Sequence, residues 1–371
     1  MRNQDEISLV HLDRMTDGTG LIQHAIYSVP RRESGYTTDD NARALRLCTR
    51  MWDREPSDRM LSRVGCYLSF MEFARNPRGG LHNFMSYQRE WLDAQGCGDC
   101  HGQWVRSLAE VLGSNLPDDY RLLARELIEA VLPALADLRS IRAQAYVILA
   151  FGHLWAASVP DLEPLENVAW SAAQRLVQSY QRAERPDWHW FESRMTYANA
   201  VLPHALFAAA RRWPAEPYLE IAQGAFDFLD RATTADPSQP RGKKIAVNEH
   251  SVFSPIGSNG WHLHGEAKAL YDQQPVEAAT MAEAALAAYG LLSDEKYLAA
   301  FNRAHGWFHG RNTLGVSLVD PERGACFDGL SETGVNRNQG AESTLSYLWS
   351  ELQHLEIQRA VGEGYSTAAS A

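Results

Sequence analysis

Two kinds of helical pattern alternate along this chain. In one, apolar positions recur every three or four residues and leave a charged face, as over 122–136 and over 217–231. In the latter, Leu219, Ala222, Phe226 and Leu229 share one side. In the other, a short polar cluster runs straight into a helix of small and apolar residues, as in Ala278-Ala-Thr-Met-Ala-Glu-Ala-Ala-Leu-Ala-Ala-Tyr289. Six such clusters occur, at 36–45, 99–106, 140–146, 191–200, 271–278 and 338–345. Their spacing of roughly 40 to 80 residues fits one helical hairpin plus loops of varying length.

A helix with one apolar stripe faces water on its other side, whereas one that is apolar nearly all round is covered. The alternation therefore predicts twelve helices arranged as six hairpins, an all-α (α/α)6 toroid. The small-residue helices form its inner ring, and the six clusters gather at a single polar mouth. Strand signals are confined to 247–253 and 315–327, read as minor β excursions in loops. The turn-rich stretch 233–244 is the best linker candidate, but helical hairpins continue on both sides of it. Dividing the ring there would leave two open apolar edges. Residues 1–360 are thus expected to form a single barrel domain, with 361–371 a disordered tail.

Composition narrows the partners. The net charge of -11 over 371 residues argues against nucleic acid or an anionic membrane, because both select basic surfaces. No stretch approaches the roughly 18 apolar residues needed to span a bilayer. The start, Met1-Arg-Asn-Gln-Asp-Glu-Ile-Ser, lacks the apolar core of a secretory signal. Five cysteines, at 48, 66, 97, 100 and 326, make an odd, sparse set that suits no disulfide framework. A reduced, cytoplasmic protein is expected.

Candidate chemistry lies in the clusters. Asp39 and Asp40 follow two threonines and open a helix. An N-cap with an acidic first turn explains one carboxylate, leaving the other for the mouth or for Asn41 or Arg43. Glu277 stands where a capping-box Glu would, with Pro275 in the first turn. Yet Asp272, Gln273 and Gln274 just upstream exceed what one cap requires. Glu342 has a similar approach through Asn336, Asn338, Gln339 and Gly340. In Trp188-His-Trp-Phe-Glu192 and Trp261-His-Leu-His-Gly-Glu266, rings alternate with polar groups. Stacking faces with a polar rim are what a sugar needs.

Cys97-Gly-Asp-Cys-His101 has the spacing of c-type haem attachment, but no export signal accompanies it and no second cysteine pair completes a zinc site. His305 and His309 share a helix face without the intervening Glu of metalloproteases. Neither a P-loop nor a dinucleotide fingerprint is present, so no nucleotide, haem or catalytic metal is expected.

Taken together, Gly35-Tyr-Thr-Thr-Asp-Asp-Asn-Ala-Arg-Ala-Leu45, Trp190-Phe-Glu192, Tyr197-Ala-Asn-Ala-Val-Leu-Pro-His-Ala-Leu206, Asp272-Gln-Gln-Pro-Val-Glu-Ala278, Cys326-Phe-Asp-Gly-Leu330 and Asn338-Gln-Gly-Ala-Glu-Ser-Thr344 resemble the six-hairpin glycosidase-like proteins. The resemblance covers roughly residues 8 to 355. In bacteria such proteins occur alone, beside carbohydrate-phosphorylase genes, or fused behind a glycosyltransferase domain. It implies an (α/α)6 barrel, a carbohydrate ligand and action alongside a glycosyltransferase or phosphorylase. Gln103 departs from the pattern, standing where relatives carry an Arg after His-Gly. Cys97 and Cys100 stand where small or hydroxyl residues are the rule.

The leading expectation is a glycoside hydrolase or related carbohydrate-active enzyme acting on short oligosaccharides, and the resemblance implies inversion, which is common among relatives with this barrel. Inversion needs an acid and a carboxylate base roughly 6.5 to 9.5 Å apart. Asp40, Glu192, Glu277 and Glu342 are the catalytic candidates. Glu192, with the most aromatic surroundings, is expected to have a raised pKa and serve as the acid. Substrate contacts are expected from Tyr36, Asp39, Asp99, His101, Trp190, Asn199, His264, Asp272, Gln273, Gln274, Asp328, Asn338 and Gln339. One rival is a sugar isomerase or epimerase using His101, His189, His262 or His264 as acid and base. The other is a non-catalytic sugar-binding domain.

Overall fold

The computed structural model describes residues 7–236 and 250–369. Among them are twelve α-helices. The inner ring consists of α2 (Thr38–Arg54), α4 (Gly98–Leu112), α6 (Ile141–Ala156), α8 (Val201–Arg212), α10 (Pro275–Leu292) and α12 (Ala341–Ala369). Each contacts the next and α12 closes on α2. The outer layer consists of α3 (Asp58–Phe73), α5 (Asp118–Ala136), α7 (Glu163–Ala183), α9 (Tyr218–Thr233), α11 (Glu295–Phe308) and the six-residue α1 (Val10–Met15), which packs against α12. This is the six-hairpin (α/α)6 toroid. No helix among the described residues is long and apolar enough to cross a membrane.

Local chemistry sets where the inner helices begin. Thr37 caps α2 and Ser140 caps α6 through their side chains, while Pro275 fills the first turn of α10, where its missing N–H costs nothing. Small residues then let inner helices approach one another. A Cβ on Gly102 of α4 would meet the Tyr146 ring of α6 at 2.8 Å, closer than packing allows. The near-absence of polar residues from the body of α10 has the same cause, since the helix is buried nearly all round.

Loop lengths separate the two ends of the barrel. Turns from inner to outer helices are short, such as 55–57 and 293–294. Most outer-to-inner connections are long: 74–97, 184–200, 234–274 and 309–340. All six two-stranded ladders among the described residues lie at the outer-to-inner end or just before α2, including Val319–Asp320 paired with Ala325–Cys326. The strand signal at 315–327 thus has its counterpart. That at 247–253 keeps Val252–Phe253, while 247–249 fall outside the described residues. Functional loops on a rigid scaffold gather where the scaffold permits length. Helix α12 runs on through Ala369, across most of the segment expected to be a tail from 361; 370–371 lie outside the described residues.

Candidate active site

One arc of the mouth is built on Arg43. Its Nη1 lies 2.9 Å from Asp40 Oδ1 and 3.4 Å from Asp39 Oδ2, and its Nη2 lies 2.9 Å from Glu342 Oε2. Both aspartates therefore face the same guanidinium, and Asn41 serves the backbone of Leu21 and Thr37 instead. Asp40 is 4% exposed and accepts a further hydrogen bond from Thr37 Oγ1 at 2.9 Å. Burial, with Asp39 and Glu342 adding repulsion, pushes its pKa up to about 8. Glu342, by contrast, opens toward solvent. Asp39, Asp40 and Glu342 line a cavity of about 320 Å³ together with Gln274, Asp328, Asn336 and Ser343. Asp328 is held there by the N–H of Gly340 at 2.7 Å, and a Cβ at residue 340 would crowd the same oxygen at 2.9 Å. Gln23 and His24 complete the wall from the segment before α2, which carries no helical periodicity to announce it.

The second arc is built on Arg142 of α6. Its Nη1 donates to Glu192 Oε2 at 2.9 Å and its Nε to the Tyr197 carbonyl at 2.6 Å, while Nη2 has no protein partner. Its guanidinium lies 5.0 Å from the Tyr197 ring, which is 39% exposed. Ser140 donates to Asp99 Oδ1 at 2.9 Å and leaves the buried Oδ2 unpartnered. Burial raises the Asp99 pKa against the Ser140 hydrogen bond and the opposing pull of Arg142 and Arg43.

Glu277 occupies a different setting. Its carboxylate accepts from the backbone N–H groups of Ala198 and Asn199, and from Asn199 Nδ2 at 3.1 Å. It thereby anchors the turn that leads into α8, a neighbouring helix, and not the start of its own. Burial pushes its pKa up to about 7 against those hydrogen bonds. Glu277→Gln removes an acceptor from N–H groups that are buried. It is expected to lower stability by about 1–3 kcal/mol and to change turnover per folded molecule less than about tenfold. Denaturant unfolding and steady-state rates check this; a hundredfold loss of turnover with unchanged unfolding would return Glu277 to the chemistry.

Several expected substrate contacts are packing or scaffold groups. Trp190 is fully buried, edge-on to Phe191, so no sugar face reaches it. Tyr36 is 1% exposed, its hydroxyl donating to Asp17 and its ring stacked on Tyr87. Asn199 serves Glu277, and buried Gln273 accepts from Trp307 Nε1 at 2.8 Å. His101 is buried with Nδ1 on the Cys97 carbonyl, and desolvation lowers its pKa. Asn338 accepts from the N–H of Tyr27, whereas buried Gln339 keeps an unpartnered Oε1. Asp272 is exposed and does not line the Arg43 cavity. His264 pairs with Asp187 at 3.1 Å beside Trp188, lining a separate depression of about 310 Å³. Glu192 meets the Arg142 cation instead of an all-aromatic pocket.

Beneath the mouth the axis of the barrel is ionic. Glu283 accepts from Arg46 and, at 2.7 Å, from Arg106, and Arg46 also lies 3.7 Å from the centre of the Trp349 ring. Burial opposes ionisation of Glu283, but Arg106 and Arg46 overcome it and hold the carboxyl well below the usual range. A cavity of about 400 Å³ follows toward the short-turn end, walled in part by Arg50, Glu110, His153, His204 and Glu356. Burial pushes the His204 pKa down to about 3, which keeps its ring neutral.

No family model matches the sequence, and no curated protein matches it. Solved structures do. A D-mannose isomerase superposes with a TM-score of 0.70 at 12% identity, covering 94% of each chain. A sugar epimerase from a ruminal bacterium gives 0.68 at 12% identity over 93% of this chain and 95% of its own. An inactive variant of the α-1,6-mannanase of Salegentibacter sp., in complex with α-1,6-mannotetrose, gives 0.59 at 11% identity over 94% and 96%. At such identities the likeness is one of fold, and it extends over nearly the whole barrel.

Proposed function

We propose that the protein is a carbohydrate-active enzyme that hydrolyses a glycosidic bond in a short oligosaccharide at the Arg43 mouth. The carrying observation is the pairing of Asp40 and Glu342 on two nitrogens of one guanidinium, one carboxyl buried, where burial favours the protonated form, and the other open to water. Glycoside hydrolysis needs that asymmetry. Asp40 gives its proton to the bridging oxygen as the C–O bond breaks. Glu342 takes a proton from the water that attacks the anomeric carbon from the opposite face, inverting its configuration. Asp328, Gln274 and Asn336 offer hydrogen-bonding groups to the sugar rim, and Tyr197 offers an exposed ring face. The sugar-directed names of proteins sharing the fold support the substrate class.

Two of those neighbours are named as an isomerase and an epimerase, which favours a second reading in which the same mouth moves a proton on a free sugar. The four histidines expected to serve such chemistry lie away from the Arg43 cavity, whereas His24 stands in its wall. His101 is bonded to backbone, His262 and His264 pack on Trp188, and His189 packs on Phe228. Incubation with a panel of mannose- and glucose-based oligosaccharides, followed by NMR of the released anomer, tests the proposal. New reducing ends of inverted configuration, lost in Glu342→Gln, are expected. Interconversion of free mannose with a ketose or epimer, without cleavage, would replace hydrolysis by isomerisation. Binding without turnover of either kind would leave a sugar-binding domain.

A further inference from the structure

His305 of α11 and His309, the residue just past its end, acquire partners that the sequence spacing alone did not supply. Between α11 and α12, His309 Nε2 lies 3.1 Å from Glu351 Oε2, and His305 Nε2 lies 3.8 Å from the same oxygen. The three candidate donor atoms all fall within 4.8 Å of one another. At 3.8 Å the His305 nitrogen is beyond hydrogen-bond range, so protein contacts alone leave it unused. Its other nitrogen, Nδ1, is 3.2 Å from Ser350 Oγ. That contact turns Nε2 toward Glu351. Metal-bound imidazoles are oriented in this way, by a hydrogen bond on the far ring nitrogen.

From this geometry we infer that His305, His309 and Glu351 bind a divalent transition-metal ion of the zinc type, clasping outer helix α11 to inner helix α12. Two imidazoles and one carboxylate form a ligand set that zinc accepts, with a fourth position left for water. The titratable groups acting on His305 are His354, Glu351 and His309. The His354 ring stacks on His305 at 4.2 Å and accepts from Gln358 Nε2, bracing the ligand ring from its other face. His309 is 36% exposed by its side chain, which provides an entry path. None of these residues lines the mouth, so the site is independent of the proposed hydrolysis.

The test is calorimetric titration of chelator-treated protein with zinc chloride, beside thermal melts with and without the ion. One equivalent should bind, and an ion that binds only the folded state should raise the melting temperature. His309→Ala, chosen because its side chain is partly exposed, and Glu351→Gln should each weaken binding at least about tenfold. Cys97→Ser with Cys100→Ser should bind as the parent does. Failure of the parent to bind zinc, unchanged binding by His309→Ala, or loss of binding only in the cysteine variant would each overturn the inference.

Discussion

Asp40→Asn is expected to leave the protein folded and to lower turnover at least about a hundredfold, the smaller end of what general acid catalysis contributes. The substitution keeps the shape and an acceptor for Thr37 Oγ1 but removes the transferable proton. Parent activity should fall as pH rises past about 8, where Asp40 would lose that proton. Stability gives a second readout with a definite sign. The folded protein binds this proton more tightly than the unfolded chain does, about 8 against 3.8. The resulting stabilisation is whole below 3.8 and is lost as pH rises through the folded value. The Asn variant has no such proton, so its stability relative to the parent should improve as pH rises from about 4 to about 8, the interval between those two values. A variant that keeps at least a tenth of parental turnover would remove Asp40 from the acid role. Unchanged relative stability over that interval would refute the buried, proton-retaining carboxyl.

The architecture was legible because burial writes itself into composition. All six polar clusters coincide with the starts of inner helices, and the charged-face segments at 122–136 and 217–231 lie in α5 and α9. Side-chain direction was not legible. An inner helix that is apolar all round carries no phase in its pattern, and neighbouring residues in a loop point to opposite sides. Trp190 and Glu192 are two residues apart, yet one is sealed in the core and the other meets Arg142. Glu277 has the sequence setting of a cap for its own helix but crosses to the turn before α8, a contact that only the closed ring creates. Gln23 and His24 come from a segment without periodicity, whereas Arg43 had a signal, a cation three residues after an acidic pair.

The arginines of α2 carry the second large effect. Arg43, Arg46 and Arg50 recur at helical spacing, and such a stripe is ordinarily a solvated face. In the ring it points along the barrel axis. Arg43 holds the mouth carboxylates, Arg46 holds Glu283, and Arg50 pairs with Glu356 at 2.9 Å. Glu283 bears a heavy load, since it sits between two guanidiniums and is 8% exposed. Removing one member of a buried ionic group costs more than the group contributes, because the charges left behind lose both partner and water. Glu283→Ala should therefore destabilise the protein by about 3–5 kcal/mol, read from denaturant unfolding. Arg46 would keep Glu110 at 3.5 Å and the Trp349 face, but Arg106 would lose the one carboxylate it bonds. Replacing Glu283, Arg46 and Arg106 together by apolar residues of similar volume should recover much of the loss, as a buried ion group exchanged for packing often does. If Glu283→Ala costs less than about 1 kcal/mol, water reaches the axis freely and the ionic core is a solvated channel.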